Sequence, residues 1–441
     1  MTEVIEKTEN KKGYKKTKLG WIPEDWEVIN IGNLFSNTQS GLSRKLSDYD
    51  IGLPVLRSNN VDNGRINWNE IKYWYKQDNQ GAKTENYYLN NGDILLNFIN
   101  SLAQIGKCAI FENRLNRDTI FTTNLMRIKL STKINSKIFL EHTFTDRYKY
   151  FIQAIAKPAV NQASFTSHDY KKYLIPLPSI QEQEKIAEIL SAWDDGIETL
   201  EKLIEQKDVF HKALMKNLLV GKKRLAEFNK NSEYKRTRLG TIPVDWQIKP
   251  LKLLFDKRMQ KYSGNTEHNI FTNSATKGVV LQNEYFDRSI VTEENTSNYY
   301  VVGENDFMYN PRISQSAPAG PINRNKLGIT GIASPLYTIF KAKHDTIVDF
   351  YEQYFSSNLW NNSMFMVANQ GARHDRLNIT SNDFMNMPLP YPPLKEQEKI
   401  ATVLIESYKE IQILNSKLEK LKEQKKGLMQ KFLTGQIRVK I

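Results

Sequence analysis

The chain repeats itself. Tyr14–Trp26 reads YKKTKLGWIPEDW, and 220 residues further on Tyr234–Trp246 reads YKRTRLGTIPVDW. Glu182–Ala187 and Glu396–Ala401 are both EQEKIA, 214 residues apart. That second register continues without a gap through KALMKNLLVG (Lys212–Gly221) and KGLMQKFLTG (Lys426–Gly435). So long a period exceeds any solenoid unit and suits a duplicated globular domain followed by a helix. The 441 residues are also too many for a single core. Two similar halves in one chain mimic a two-fold dimer.

Within each half the pattern changes once. Residues 14–178 carry short β-type runs, IGLPVLRS (Ile51–Ser58) and GDILLNFI (Gly92–Ile99), punctuated by the turn signals Asp62-Asn63-Gly64 and Asn90-Asn91-Gly92. The reading is an α+β domain with much irregular structure. Residues 179–221 read as one helix. Ser179 with Glu182 forms a capping-box start, and Gly221 is a natural stop. Apolar residues recur at heptad steps: Ile186, Leu190, Trp193, Ile197, Leu200, Ile204, Leu214 and Leu218, with Lys207 and His211 as polar exceptions. Such a helix would be about 60 Å long. Residues 222–233 form a charged linker, 234–393 repeat the domain, 394–435 repeat the helix, and 436–441 are a tail. The second helix carries Ile400, Leu404, Ile411, Leu414, Leu418, Leu421, Leu428 and Phe432 on its seam, but Pro393 stands where Ser179 would be. Residues 1–13 are polar and read as a disordered lead, not a signal peptide.

Neither helix has a local surface on which to bury its seam. The economical solution packs the two copies on each other. A pseudo-two-fold relation between the halves makes that packing an antiparallel coiled coil, with the globular domains at opposite ends of a stiff spacer.

The net charge of +13 and pI near 9.3 fit a polyanionic partner, or a solubilising surface. One cysteine, Cys108, excludes an internal disulfide and any multi-cysteine zinc site. With no apolar run long enough to span a membrane, a cytoplasmic location is expected. Chemistry of the chain's own is hard to find. An adenine methyltransferase needs an Asn/Asp-Pro-Pro-aromatic loop around a flipped base. The nearest strings, Asn310-Pro311-Arg312 and Pro390-Tyr391-Pro392-Pro393, do not fit. Gly106-Lys107 lacks the upstream glycine of a P-loop. Glu205-x-Lys207 and Glu423-x-Lys425 are nuclease-like fragments but lie in the heptads, where a solvated face is the simpler reading. His142, His168, His211, His268, His344 and His374 show no metal-ligand spacing. Cys108 beside Lys107 reads as an ordinary packed cysteine. No catalytic, cofactor or metal site is expected.

The halves correspond internally only in islands, such as Asn86-Tyr87-Tyr88 with Asn298-Tyr299-Tyr300, and Asp93-Ile94 and Asn97 with Asp306-Phe307 and Asn310. One scaffold with two sets of loops implies two recognition surfaces that read different things. Base edges are read by Arg, Asn and Gln, and phosphates by Lys and Arg. In the first domain the candidates form three clusters. They are Arg57-Ser58-Asn59-Asn60; Asn97, Asn100, Ser101, Gln104 and Lys107; and Asn161, Gln162 and Ser164. In the second they are Lys277 at the end of Asn273–Lys277; Asn310, Arg312, Ser314 and Gln315; and Asn369, Gln370 and Arg373. The same residue types also build ordinary turns. Tyr73-Trp74-Tyr75 is the pattern of a stacking platform or, more simply, of a half-buried strand. Gln181-Glu182-Gln183 and Lys395-Glu396-Gln397 sit where a partner could touch the helix starts, or where they merely cap them.

Three elements together carry a family resemblance: the L-G-x-I-P-x-D-W opening (Leu19–Trp26, Leu239–Trp246), the L-P-x(3)-EQ-x-x-I passage into a helix (Leu177–Ile186), and their duplication around divergent domains. From Tyr14 to its end the chain resembles the specificity subunit of type I restriction–modification systems. The resemblance implies two target recognition domains, each reading one half of an asymmetric bipartite duplex DNA site. It also implies a helical ruler that fixes the gap and docks two methyltransferase (M) subunits, joined by restriction (R) subunits. S-adenosylmethionine would then lie on the methyltransferase subunits, and ATP and Mg on the restriction subunits. Two rival readings are a protein–protein scaffold with incidental charge, and a non-catalytic fragment of a fused restriction–methyltransferase enzyme.

Overall fold

The computed structural model describes residues 12–160, 162–229, 233–264, 268–285, 296, 298–368 and 375–441. The expected N-terminal lead therefore lies almost wholly outside the described residues. The chain divides into two compact units, Met1–Leu200 with Lys417–Ile441, and Glu201–Ser416. The division falls in mid-helix, so each unit holds one globular domain and a stretch of both long helices.

In the first unit a hairpin, Tyr14–Thr17 with Gly20–Pro23, turns at Gly20 (φ 93°), a backbone conformation that favours glycine. Strand Glu27–Asn30 then pairs antiparallel with Leu174–Leu177, which leads into the first long helix, so the domain closes on itself at that helix. Its main sheet has the order Cys108–Ile110, Ile94–Asn97, Leu125–Leu130, Phe35–Ser40. All four residues of Ile94–Asn97 are buried, as a strand between two layers requires. A second sheet pairs Leu53–Leu56 parallel to Ile120–Phe121 and antiparallel to Lys72–Trp74. Trp74 is buried within it, as an alternating aromatic strand suggests. Asn63 and Gly64 both take positive φ between the paired Val61–Asp62 and Arg65–Ile66. That is the primed turn the Asn-Gly pair favours.

The second unit repeats the plan. Hairpin Tyr234–Thr237 with Gly240–Pro243 precedes Gln247–Pro250, which pairs with Pro388–Tyr391. The main sheet runs Ile322–Arg324, Phe307–Tyr309, Thr338–Ala342, Phe255–Lys257, the same order as in the first unit. Asn269–Ser274 again lies parallel to a strand, here Gly331–Ala333. The second sheet differs, with three strands in the first unit and four in the second, and so does the filling of the cores. In the first core Ile31, Leu34, Ile94, Leu96, Ile128 and Ile175 pack with the rings of Phe139, Tyr148, Phe165, Tyr170 and Tyr173, and in the second Phe255, Phe307, Phe340, Tyr351 and Phe355 interlock. The Phe255 and Phe340 rings meet edge to face at 5.3 Å, the preferred aromatic geometry.

The long helices span Ile180–Leu218 and Leu394–Leu433. Ser179 Oγ accepts the Glu182 amide at 3.3 Å, the cap expected of it. At the second helix the Pro393 carbonyl takes the Glu396 and Gln397 amides at 2.9 and 3.0 Å. Within the first unit Ile186, Ala187 and Leu190 pack on Met429, Phe432 and Leu433. Within the second, Leu214, Met215 and Leu218 share a cluster with Ile400, Ala401 and Leu404. The polar seam positions find partners across the helices: Lys207 Nζ lies 2.7 Å from Glu410, and His211 Nδ1 lies 3.2 Å from Ser407 Oγ. As the number rises on one helix it falls on the other, so the pairing is antiparallel, as expected from the repeat. Lys425 departs from the solvated face expected of it. Its side chain is largely buried, and its ammonium donates to Glu141 at 3.1 Å and Asp194 at 2.8 Å.

Candidate nucleic-acid interface

Three polar clusters of the first domain, far apart in sequence, come together. Strand Ile94–Asn97 ends on Asn97, which is fully buried, and its Nδ2 donates to the Ser58 carbonyl at 3.0 Å. This joins the first cluster to the second. The chain continues into Ile99–Asn100, which pairs antiparallel with Ala163–Ser164, and Gln162–Ser164 pairs in turn with Lys157–Ala159. This joins the second cluster to the third.

Within that arrangement the candidates divide by exposure. Asn59, Ser101, Gln104, Gln162 and Ser164 are exposed, and Arg57, Ser58, Asn100 and Lys107 are half-buried. Asn60 and Asn97 are buried and serve the loops themselves. Asn60 Oδ1 accepts the Arg57 amide at 2.9 Å, and its Nδ2 donates to the carbonyls of Asn67 (2.9 Å) and Asn69 (3.2 Å). Arg57 donates through Nη2 to the Glu70 carbonyl at 2.7 Å, which fixes the direction of its guanidinium. Lys107 is neutralised by Asp62 at 2.7 Å. Asn161 lies outside the described residues.

The second domain uses the same device. Asn310, the counterpart of Asn97, donates through Nδ2 to the Asn273 carbonyl at 3.2 Å. Asn273 is itself buried and donates to Met308 and Pro321 carbonyls at 2.6 and 3.0 Å. Asn310 Oδ1 accepts the Arg312 amide at 3.0 Å and so shapes the loop that follows. Arg312, Ser314 and Gln315 are exposed on that loop, and Lys277 is exposed with its ammonium 5.4 Å from the Tyr285 ring centre. Asn369, Gln370 and Arg373 lie outside the described residues. The segment just after them runs beside the second cluster: Ile313 donates to Asp375 at 3.0 Å, and Leu377 to Pro311 at 2.9 Å. This brings in Arg376, which sequence reasoning passed over. Its signal was position alone, three residues beyond Arg373. Arg312, Arg376, Asn310 and Ser314 border a cleft of about 320 Å³. Exposed Arg312 and Ser314 with half-buried Arg376 around a cleft, on a loop shaped by Asn310, suit recognition of base edges.

The helix starts require a correction. Glu182, Gln183, Glu396 and Gln397 are fully buried and cannot face a partner; of these segments, Gln181 and Lys395 are exposed. Glu182 accepts the Trp26 indole N–H at 3.0 Å and two bonds from Arg438, whose Nη atoms also hold Asp25. Glu396 accepts the Trp246 indole at 3.0 Å and two bonds from Arg224, which also holds Asp245. Arg438 holds the Asp25 carboxyl below its ordinary pKa, and Glu396 raises that of Arg224. Gln183 and Gln397 donate to the carbonyls of Pro178 (3.0 Å) and Pro392 (2.7 Å). The repeated Glu-Gln is thus a buried lock between hairpin, helix start and the segment after the opposing helix.

Cys108 is buried beside the Tyr148 and Tyr170 hydroxyls, and burial pushes its thiol up to about 12, which suits packing and not nucleophilic attack. Among the described residues no helix is long and apolar enough to cross a membrane.

A family model of the type I restriction modification DNA specificity domain matches the chain twice, over residues 23–207 and 243–423. The putative type I restriction enzyme MjaX specificity subunit of Methanocaldococcus jannaschii is 31% identical over 97% of both chains. The MjaVIII specificity subunit of the same organism is 27% identical over 95% of this chain and 94% of its own. Among solved structures, the type I restriction–modification S subunit from M. genitalium superposes with a TM-score of 0.52 at 14% identity, covering 92% of this chain and 96% of its own.

Proposed function

The chain belongs to the type I restriction–modification DNA specificity family, with two DNA specificity domains, and on that footing we propose that each domain reads one half of an asymmetric bipartite duplex site. The observation that carries this reading is the pair of matched ties, Asn97 to Ser58 and Asn310 to Asn273, on scaffolds with one sheet order. They hold loops whose exposed polar residues mostly differ: Asn59, Gln104, Gln162 and Ser164 in one domain, Lys277, Arg312 and Gln315 in the other, with Ser101 and Ser314 the matched pair. A common frame with unlike polar loops is what two different half-sites require.

The long helices set the unread gap and dock two methyltransferase subunits, and restriction subunits join that core. The chain itself carries no catalytic group. S-adenosylmethionine belongs to the methyltransferase subunits, and ATP and Mg to the restriction subunits. It works in the cytoplasm, in keeping with a single buried cysteine.

Selection of bound duplexes from a random library by the chain assembled with its methyltransferase partner tests this. A two-part motif around a fixed gap is expected; one uninterrupted motif, or no enrichment, contradicts it. Deleting four residues from each helix, about 6 Å by the helical rise, shortens or abolishes the gap preference and leaves the half-site sequences alone. An unchanged gap contradicts the ruler.

A further inference from the structure

The two repeated hairpins contain residues that the fold does not explain. Most of the shared positions in Tyr14–Trp26 and Tyr234–Trp246 have a structural task in both copies. The Tyr14 and Tyr234 hydroxyls donate to the Gly435 and Lys222 carbonyls, after the opposing helices. Lys15 and Lys235 each donate to a carbonyl on the same hairpin, of Glu24 and Val244, at 2.8 Å. Thr17 and Thr237 cap the turn, and Gly20 and Gly240 make it at φ 93° and 100°. Ile22, Trp26 and their counterparts Ile242 and Trp246 are buried, and Asp25 and Asp245 join the arginine locks. Two positions change chemistry between the copies, Trp21 to Thr241 and Glu24 to Val244.

Four cations remain. Lys16 and Lys18, and their counterparts Arg236 and Arg238, stand exposed at and just before each turn. No ion pair or hydrogen bond among the described residues engages their side chains. Their charge is kept in both copies although the residue changes from Lys to Arg, whereas the neighbouring acid, Glu24, is not kept. A surface that is the same on both domains cannot distinguish two half-sites. It suits something the two halves have in common, and any duplex offers the same phosphates at every sequence.

We propose that Lys16 with Lys18, and Arg236 with Arg238, are matched phosphate clamps that grip the DNA backbone on behalf of each reading domain without regard to sequence. This rests on the reading of the chain as a DNA-recognition subunit. The clamps supply position and salt-dependent affinity, and the divergent loops supply specificity.

The test measures binding of the full chain, assembled with its methyltransferase partner, to a mixed-sequence duplex across a range of salt concentrations. Removing one cation from a phosphate lowers the slope of log K against log salt by about 0.9. Lys16→Gln with Lys18→Gln is therefore expected to lower the slope by about 1.8, and Arg236→Gln with Arg238→Gln by the same amount. The loss is equal on every sequence, and Lys16→Arg with Lys18→Arg restores the slope. An unchanged slope overturns the proposal, and so do variants that no longer assemble with the methyltransferase, which would assign the hairpins to a protein partner. A wild-type complex that shows no salt-dependent binding overturns the recognition reading and the clamps with it. Binding by wild type with unmoved variants overturns the clamps alone.

Discussion

Arg438 reaches back 256 residues to Glu182, with Nε 2.6 Å from Oε1. Arg224 makes the same contact to Glu396 at 2.8 Å. In each case the arginine follows one long helix and the glutamate begins the other, so every lock joins residues from both copies of the repeat. Removing one partner of a buried pair leaves a charge without compensation, at a cost of about 3–5 kcal/mol. Arg224 is 4% exposed at its side chain and Arg438 is 37% exposed. Arg224→Ala is therefore expected at the lower end of that range, about 3 kcal/mol, and Arg438→Ala clearly below it because solvent screens it. Denaturant titration of the full chain measures both. A loss under about 1 kcal/mol for Arg224→Ala would show that the lock contributes little.

Asn97 has a different kind of leverage. It is buried, yet its amide holds the carbonyl of Ser58, so it positions one reading loop from the base of another. Asn97→Ala leaves that carbonyl unpaired, at a cost of about 1–3 kcal/mol. It is expected to blur only the half-site read by the first domain. Asn310→Ala does the same to the other half. Selected motifs from the two variants check this; loss of the same half in both contradicts it.

Arg312 and Arg57 are both arginines of candidate reading loops, but they differ in state. Arg312 is exposed on its loop, whereas the Arg57 guanidinium already donates to Glu70. A bidentate contact to a base discriminates by about 1–3 kcal/mol. Arg312→Ala is expected to relax one base position by roughly ten- to a hundredfold, equivalent to that energy. Arg57→Ala has a smaller effect on sequence choice and a larger one on stability. Competition between single-base variants of the selected site measures the ratio; equal relaxation by both contradicts this ranking.

His142 gives the fold a pH dependence. Burial, reinforced by the nearby Arg147, lowers its pKa to about 3, against about 6.5 in an unfolded chain. Below the unfolded value the unfolded state takes up a proton that the folded state refuses. The stabilisation is complete above pH 6.5 and is lost as pH falls toward 3, by about 1.4 kcal/mol per unit. Between pH 6.5 and 5 that amounts to roughly 2 kcal/mol. His142→Leu is expected to remove that slope, leaving the smaller one from His211, whose pKa is also lowered. Denaturation midpoints at pH 7 and pH 5 compare the two chains, and parallel curves would contradict the assignment.

Much of this architecture is legible in the sequence, because periodicity and turn chemistry are local. The seam residues Ile186, Leu190, Ile400 and Leu404 are buried where the heptads put them, and Asn63-Gly64 makes its turn. What is not legible depends on distance. Glu182 looks like a helix-capping residue, since nothing nearby announces Trp26 or an arginine 256 residues away. Asn60 and Asn97 look like surface readers because a loop asparagine that binds its own backbone has the same local pattern as one that faces a ligand. Arg376 escapes notice because only pairing with Pro311–Ile313 brings it to the cleft.

The central claim is that each domain reads its own half of the site. Its most direct test is a genome-wide map of modified bases in cells whose copy of the chain carries residues 14–178 in place of 234–393. A motif with the same half-sequence on both sides of the gap, in inverted orientation, is the predicted result. A motif that keeps its original, unrelated second half would contradict it.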